Sequence, residues 1–246
     1  MNLILLYPHE ALGSGRFRVV GARADHVREV LRAEVGATIR VGLLNGPTGM
    51  GRVDRVAEDV ELTVSLEATR PERPRLDVML AMPRPKALKR LLPQLAALGI
   101  SRLILFRCWR VEKTYFESPI LEPTSHEPLL DEGLMQGRDT MRPEVQIERR
   151  FTPFVEDRLE AVSGERRFLL DPSATTSFGG HVVGDRQRVS LIFGPEGGFL
   201  PKEVEMLEAR GFERITLGPR TLRTDTACVA AIAQVSLIRR RAEAAA

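Results

Sequence analysis

Leu191-Ile192-Phe193 runs without a polar break into Gly194-Pro195-Glu196-Gly197-Gly198. An apolar run of this kind reads as a strand covered on both faces. Three glycines in five positions make a costly turn, because each loses much backbone entropy on folding. Either something approaches that backbone closely, or the backbone turns where other residues cannot follow. A second turn that begins Gly-Pro, "GPRTLRTDTA", follows Ile215-Thr216-Leu217. In open α/β sheets ligands bind beyond the carboxyl ends of the strands. Adjacent parallel strands would place both turns at one edge, walling one pocket.

The rest of the chain frames these turns. From Leu76 onward, "LDVMLAM", "SRLILFRCW", "RRFLLD", "RVSLIF" and "RITLG" read as strands. They alternate with helical stretches, "KALKRLLPQLAALG" (kinked by Pro93), "EPLLDEGLMQGRDT", "PKEVEMLEARG" and "DTACVAAIAQVSLIRRRAEA". Alternation of this type predicts an α/β domain on a mainly parallel sheet. The first seventy residues differ. "RFRVV", "ATIRVGLL", "GMGRVDRV" and "VELTVSLEA" read as short strands, interrupted by one helix, "ADHVREVLRAEVG", with Val27, Val30 and Leu31 on one face and an end near Gly36. Many short strands in so little chain predict a small barrel. "TRPERPR", residues 69–75, reads as the linker, giving domains at 1–72 and 73–246.

No apolar run nears the roughly 18 residues of a membrane span, and the N-terminal "MNLILLYPHE" reads as a first strand rather than a signal peptide. Cys108 and Cys228 make neither a disulfide framework nor a zinc spacing. No metal is expected, no membrane, and a reducing cytoplasm is the expected compartment. Net charge is only +3, but of 36 basic residues just Lys86, Lys89, Lys113 and Lys202 are lysine. Arginine suits phosphate recognition through its planar fork, but genomic base composition is the simpler explanation of the bias.

Neither glycine turn carries a dinucleotide fingerprint or a P-loop. Bare backbone with few bases suits a ligand read through main-chain N–H and C=O groups. Glu196 either accepts a hydrogen bond from the ligand or holds its own helix N-terminus. In the second turn Arg220 and Arg223 precede a helix capped by Thr224 or Asp225, where no dipole asks for positive charge. They await an anionic partner, or they pair with Glu196 or Asp225. The stripe Cys228, Ala231, Val235 and Ile238 on the last helix fits core packing as well as a dimer interface.

"LIFGPEGGFLPKEVE" followed by "GFERITLGPRTLRTDTA" closely resembles the signature of the RsmE family, S-adenosylmethionine-dependent methyltransferases acting on N3 of a uridine in small-subunit ribosomal RNA. "ADHVREVLRAEVGATIRVGLLNG" is similar to that family's N-terminal block, with Asp25 before His26 where a second histidine usually stands. The resemblance implies a PUA-like β-barrel over 1–72 that binds RNA. It also implies a SPOUT-type α/β methyltransferase domain over 73–246 with a C-terminal trefoil knot, and a homodimer. General topology rules argue against a knot, so that element rests on the resemblance alone. Substrate-side blocks depart from the pattern: "QLAALG" lacks a lysine and a glutamate, "LLDPSATTSF" keeps Asp171 as its only acid, and the middle block is reduced to "LMQGRDTMRPEV".

The resemblance places S-adenosylmethionine against Phe193, Gly194, Pro195, Glu196 and Gly197 on one side, and Leu217, Gly218, Leu222, Thr226 and Ala227 on the other. Arg223, then Arg220, are the candidates for stabilising the deprotonated uracil, and Glu196 is a candidate base. Candidate ribosomal RNA contacts are Arg16, Arg18, Arg23, His26, Arg28 and Arg32 in the barrel, with Lys86, Lys89 and Arg90 on a helix. The rival readings are another SPOUT reaction on a different RNA or base, and a non-catalytic RNA-binding protein that retains the fold.

Overall fold

The computed structural model describes residues 3–184 and 186–244. It divides into two compact units, one formed by Met1–Arg73 with Leu130–Arg142, the other by Pro74–Leu129 with Pro143–Ala246. The first is built on a six-stranded sheet of β1 (Ile4–Leu6), β2 (Ala11–Gly13), β3 (Arg16–Val19), β4 (Thr38–Leu43), β5 (Thr48–Val56) and β6 (Val60–Leu66), in the order β1-β4-β5-β6-β3-β2. β1 runs parallel to β4, and the other ladders are antiparallel. Alternation along β3 and β5 turns Phe17, Val19 and Val53 inward, where they join Ile4, Leu6, Val41 and Leu62 in one core.

The helix of this unit is shorter than its sequence pattern. α1 (Ala22–Asp25) passes into a π turn, His26–Val30, closed by the Leu31 N–H on the His26 carbonyl at 2.9 Å. A π turn adds a residue per turn and moves the following positions off the face set before it. Val27 is therefore buried, while Val30 is 65% and Leu31 42% exposed.

A polar network fixes segment 130–142 to this sheet. Arg23 donates to the Leu5 carbonyl (2.6 Å) and forks onto the buried Glu10, with its guanidinium 4.4 Å from the Tyr7 ring centroid. The Tyr7 hydroxyl donates to Asp131 (2.6 Å), whose carboxylate also takes Nε and Nη2 of Arg142 at 2.7 and 2.6 Å. Burial and then the Asp131 carboxylate hold the Tyr7 hydroxyl protonated, its pKa pushed up. Thr140 closes the network by donating its hydroxyl to the Gly46 carbonyl at 2.5 Å.

The second unit holds an all-parallel sheet of β7 (Leu76–Ala81), β8 (Arg102–Phe106), β9 (Glu144–Glu148), β10 (Arg166–Leu170), β11 (Val189–Phe193) and β12 (Glu213–Ile215), ordered β12-β10-β11-β7-β8-β9. Its helices are α2 (Pro85–Ala97), α3 (Pro123–Gly137, continuing into the first unit), α4 (Phe151–Pro153) joined by a π turn (Phe154–Arg158) to α5 (Leu159–Val162), α6 (Pro201–Glu208) and α7 (Thr224–Ala244). Pro93 sits inside one continuous α2, whose Leu88, Leu91, Leu92 and Leu95 face inward. The stripe of Cys228, Ala231, Val235 and Ile238 on α7 is buried within this unit itself, so core packing accounts for it and it offers no free surface for a second copy. β7 is buried along its whole length yet carries Asp77. Arg188 neutralises it through Nε and Nη2 at 2.6 and 2.7 Å, and Arg102 stands 4.0 Å away. Removing one partner of such a pair leaves the other charge uncompensated. Asp77→Ala is expected to cost roughly 2–4 kcal/mol, at the low side for a buried pair because Arg188 keeps solvent contact; urea unfolding followed by circular dichroism would register the loss.

Candidate functional site

Strand order reverses between β7 and β11, and ligand crevices of open parallel sheets form at such points, outside the carboxyl ends. A cavity of about 1100 Å³ lies there, bounded by the chain following β7, β10, β11 and β12. The two glycine turns both border it, but their strands are not neighbours: β10 lies between β11 and β12. The carboxyl end of β10 therefore brings a third segment, Leu170 to Ser173, into the same cavity.

In the first turn the glycines answer to the chain's own packing. A Cβ on Gly194 would meet the Phe199 ring at 3.0 Å, and one on Gly197 would meet Cδ of Arg110 at 3.2 Å. Gly198 has φ +72 and closes a tight turn through its N–H on the Pro195 carbonyl at 2.8 Å. The second turn is different. Gly218 has φ +132, a conformation L side chains rarely adopt, and a Cβ there would meet nothing within 4 Å. Its N–H donates to the Thr216 hydroxyl (3.2 Å), which donates to the Gly218 carbonyl (3.0 Å). The open space in front of Gly218 is the place a ligand can approach bare backbone.

Of the residues expected to hold a cofactor, Phe193, Gly194, Pro195, Glu196, Leu217, Gly218, Leu222 and Ala227 line the cavity. Gly197 does not, because it faces Arg110, whose guanidinium donates to the Gly197 carbonyl. Thr226 does not either; its N–H is taken by Asp225 in the first turn of α7. Glu196 is exposed and 3.7 Å from Arg84. Arg220 and Arg223 stand exposed at the mouth, Arg223 with Nε 3.9 Å from Asp225, a separation worth little in solvent.

The best-held charges in the cavity lie outside the residues expected to bind cofactor or act on the base. Asp171, at the end of β10, accepts from Nε and Nη2 of Arg214 at 3.0 and 2.8 Å, and from the backbone and hydroxyl of Ser173, both at 2.8 Å. Burial pushes its carboxyl up, but the Ser173 hydrogen bonds and Arg214 together outweigh this and hold it below the ordinary value of 3.8. The signal available in the sequence was positional: Asp171 directly follows an apolar strand, where a carboxyl-edge loop begins.

The expected RNA contacts divide sharply. Arg23 is enclosed by Glu10, Leu5 and Tyr7, and Arg28 pairs with Asp25 while donating to the Ala57 and Glu58 carbonyls, both at 2.9 Å. Both are internal struts rather than exposed cations, and His26 is half-buried in the π turn. Arg16 is exposed, as is Arg18, 3.7 Å from Glu61. Arg32 is exposed with φ +49. Lys86 and Arg90 on α2 line the cavity of the second unit; Lys89 on the same helix is exposed but off it. Cys108 and Cys228 are buried thiols. Burial, then the charge of Glu203, pushes Cys108 up to about 12, and burial likewise raises Cys228, so neither is a nucleophile at neutral pH. Among the described residues there is no three-residue group able to hold a metal ion, and no helix long and apolar enough to cross a membrane.

A family model described as an RNA methyltransferase domain matches residues 71–236. A protein of Treponema pallidum named ribosomal RNA small subunit methyltransferase E is 28% identical over 240 residues, 96% of this chain and 90% of its own length. Two solved structures share the fold, each covering 96% of this chain and 98% of its own with a TM-score of 0.75. One is a ribosomal RNA small subunit methyltransferase E of Neisseria gonorrhoeae bound to S-adenosyl methionine, 18% identical. The other is a Legionella pneumophila protein solved with bound SAM, 22% identical.

Because the Asp171 carboxyl is held below its unfolded value, its contribution to stability is present above that value and lost as pH falls through the lowered one. Wild type should exceed Asp171→Asn in urea midpoint at neutral pH, and the gap should close as pH drops below 3.8. A gap that persists in acid would contradict the assignment.

Proposed function

The chain belongs to the RNA methyltransferase domain family, and from that premise we propose that it transfers a methyl group from S-adenosylmethionine to N3 of a uridine in small-subunit ribosomal RNA. The observation that carries this reading is the cavity beyond β10, β11 and β12, with the positive-φ Gly218 facing open space inside it. The cofactor residues are Phe193, Gly194, Pro195 and Glu196 on one wall and Leu217, Gly218, Leu222 and Ala227 on the other. The names of the relatives support the RNA class, and the SAM-bound neighbours of the same fold support the cofactor.

S-adenosylmethionine supplies an electrophilic methyl on a sulfonium, so the protein's work is alignment and charge stabilisation. Uridine N3 is a poor nucleophile until its proton is lost to solvent water; the negative charge then spreads onto O2 and O4, the N3–methyl bond forms as the sulfonium–methyl bond breaks, and S-adenosylhomocysteine leaves. A guanidinium at the cavity mouth answers that charge. Arg223 has this role, with Arg220 as its neighbour. Asp171 is a poor base, since both of its oxygens are engaged and it is held ionised; it orients Arg214 instead. Glu196 stands exposed at the first turn, 3.7 Å from Arg84, a separation worth little in solvent.

The second unit is a SPOUT-type domain whose C-terminal chain forms a trefoil knot. The strand order β12-β10-β11 and the bridge between Ser177 and Thr216 support this, since they lay the chain after β10 beside the chain after β12. The first unit is a PUA-like barrel that holds RNA through Arg16 and Arg18. The working form is a cytoplasmic homodimer, a state that follows from the family resemblance.

Gly218→Val would fill the space in front of the backbone and strain a positive φ. Calorimetry should show affinity for S-adenosylmethionine lost while the circular dichroism of the fold is kept; unchanged affinity contradicts the placement. For Arg223, single-turnover rates at saturating RNA separate two roles. Arg223→Ala should slow transfer by roughly 100-fold or more, as loss of an oxyanion-type donor does, with cofactor affinity nearly unchanged. Arg223→Lys should recover little, because a point charge does not reproduce the planar fork. Rescue by lysine, with added salt mimicking the alanine variant, would instead make Arg223 a phosphate contact.

A further inference from the structure

Trp109 is the only tryptophan in the chain, and at 78% it is more exposed than any other large apolar side chain among the described residues. Scattered apolar residues on a surface are ordinary, so exposure alone decides nothing. The way its backbone is held decides more. Trp109 follows β8 at the carboxyl edge of the parallel sheet, the same edge as the cavity. Its N–H donates to Oε1 of the buried Glu203 at 2.7 Å, and Oε2 of the same carboxylate takes the Leu200 N–H, the N-cap of α6, at 2.8 Å. The next residue, Arg110, donates to the Gly197 carbonyl and packs its side chain against the Gly197 backbone. One buried glutamate and one arginine thus clamp the loop after β8 onto the turn after β11. The backbone that carries the indole is thus tied to the turn whose Glu196 and Gly198 line the cavity, and the indole itself is turned to water.

We propose that Trp109 is a stacking platform for an unpaired RNA base next to the one that enters the cavity. This rests on the chain acting on RNA. Single-stranded RNA is held by aromatic faces on which bases stack, combined with cations that follow the backbone. The exposed Arg84, Arg220 and Arg223 line the cavity, and the exposed Arg110 adjoins Trp109 in the chain. They suit a polyanion, and they would meet their own like charges if a second copy of the chain covered the indole. Tryptophan brings a large rigid face with few torsions to freeze.

The single indole reports on its own environment. In the free protein its emission should be that of solvent-exposed tryptophan and independent of protein concentration. Titration with a mixed-sequence single-stranded RNA should quench it. In anisotropy with the same RNA end-labelled, Trp109→Ala should weaken binding roughly 5- to 100-fold, with the salt dependence of binding unchanged because no phosphate contact is lost. Trp109→Phe should recover part of the affinity, and calorimetric affinity for S-adenosylmethionine should stay at the wild-type value in both variants. Emission that is blue-shifted and shifts on dilution would place the indole against a second copy and overturn the proposal. So would RNA affinity in Trp109→Ala equal to wild type, and that result would leave the methyltransferase reading intact. A wild-type chain that binds no RNA contradicts both.

Discussion

All six strands of the second sheet point the same way, and the site depends on that. Parallel pairing satisfies the backbone inside the sheet and delivers every strand's carboxyl end to one edge. Because β10 lies between β11 and β12, its loop joins theirs there, together with the chain that follows β7. In the first unit the Arg23, Glu10, Tyr7, Asp131 and Arg142 network ties segment 130–142 to its sheet.

That convergence sorts the charges around the cavity. Arg214 is held by Asp171 through two of its nitrogens, and Asp171 is held in turn by Ser173. Arg220 and Arg223 are left at the mouth with weak ties. A pinned guanidinium shapes a site, and a loosely tied one can close on an incoming anion. The same division separates the arginines of the first unit, where Arg23 and Arg28 are structural and Arg16 and Arg18 remain exposed. Arginine content in the sequence does not carry this distinction, because it depends on which carboxylates and carbonyls lie within reach after folding.

Much of the parallel sheet was legible from local pattern. The apolar runs at Leu76–Ala81 and Val189–Phe193 are buried throughout, and the two Gly-Pro turns border one cavity. Strand adjacency was not legible. Nothing in residues 166–170 says that they insert between strands that follow them in the chain. The glycines were half legible: Gly218 faces open space, but Gly194 and Gly197 make room for Phe199 and Arg110, contacts set by tertiary folding. The π turn at His26–Val30 defeated a 3.6-residue reading of Val30 and Leu31. The small-residue stripe of α7 fitted two explanations, and burial inside the unit selects one.

The central claim is methyl transfer to uridine N3 in small-subunit ribosomal RNA. Its most direct test is mass spectrometry of nucleosides from small-subunit ribosomal RNA of a strain lacking the gene, before and after incubation with the purified protein and S-adenosylmethionine. N3-methyluridine absent at the start and restored by the wild-type protein is the predicted result. N3-methyluridine that persists in the deletion strain, or a different methylated nucleoside appearing on incubation, would contradict it.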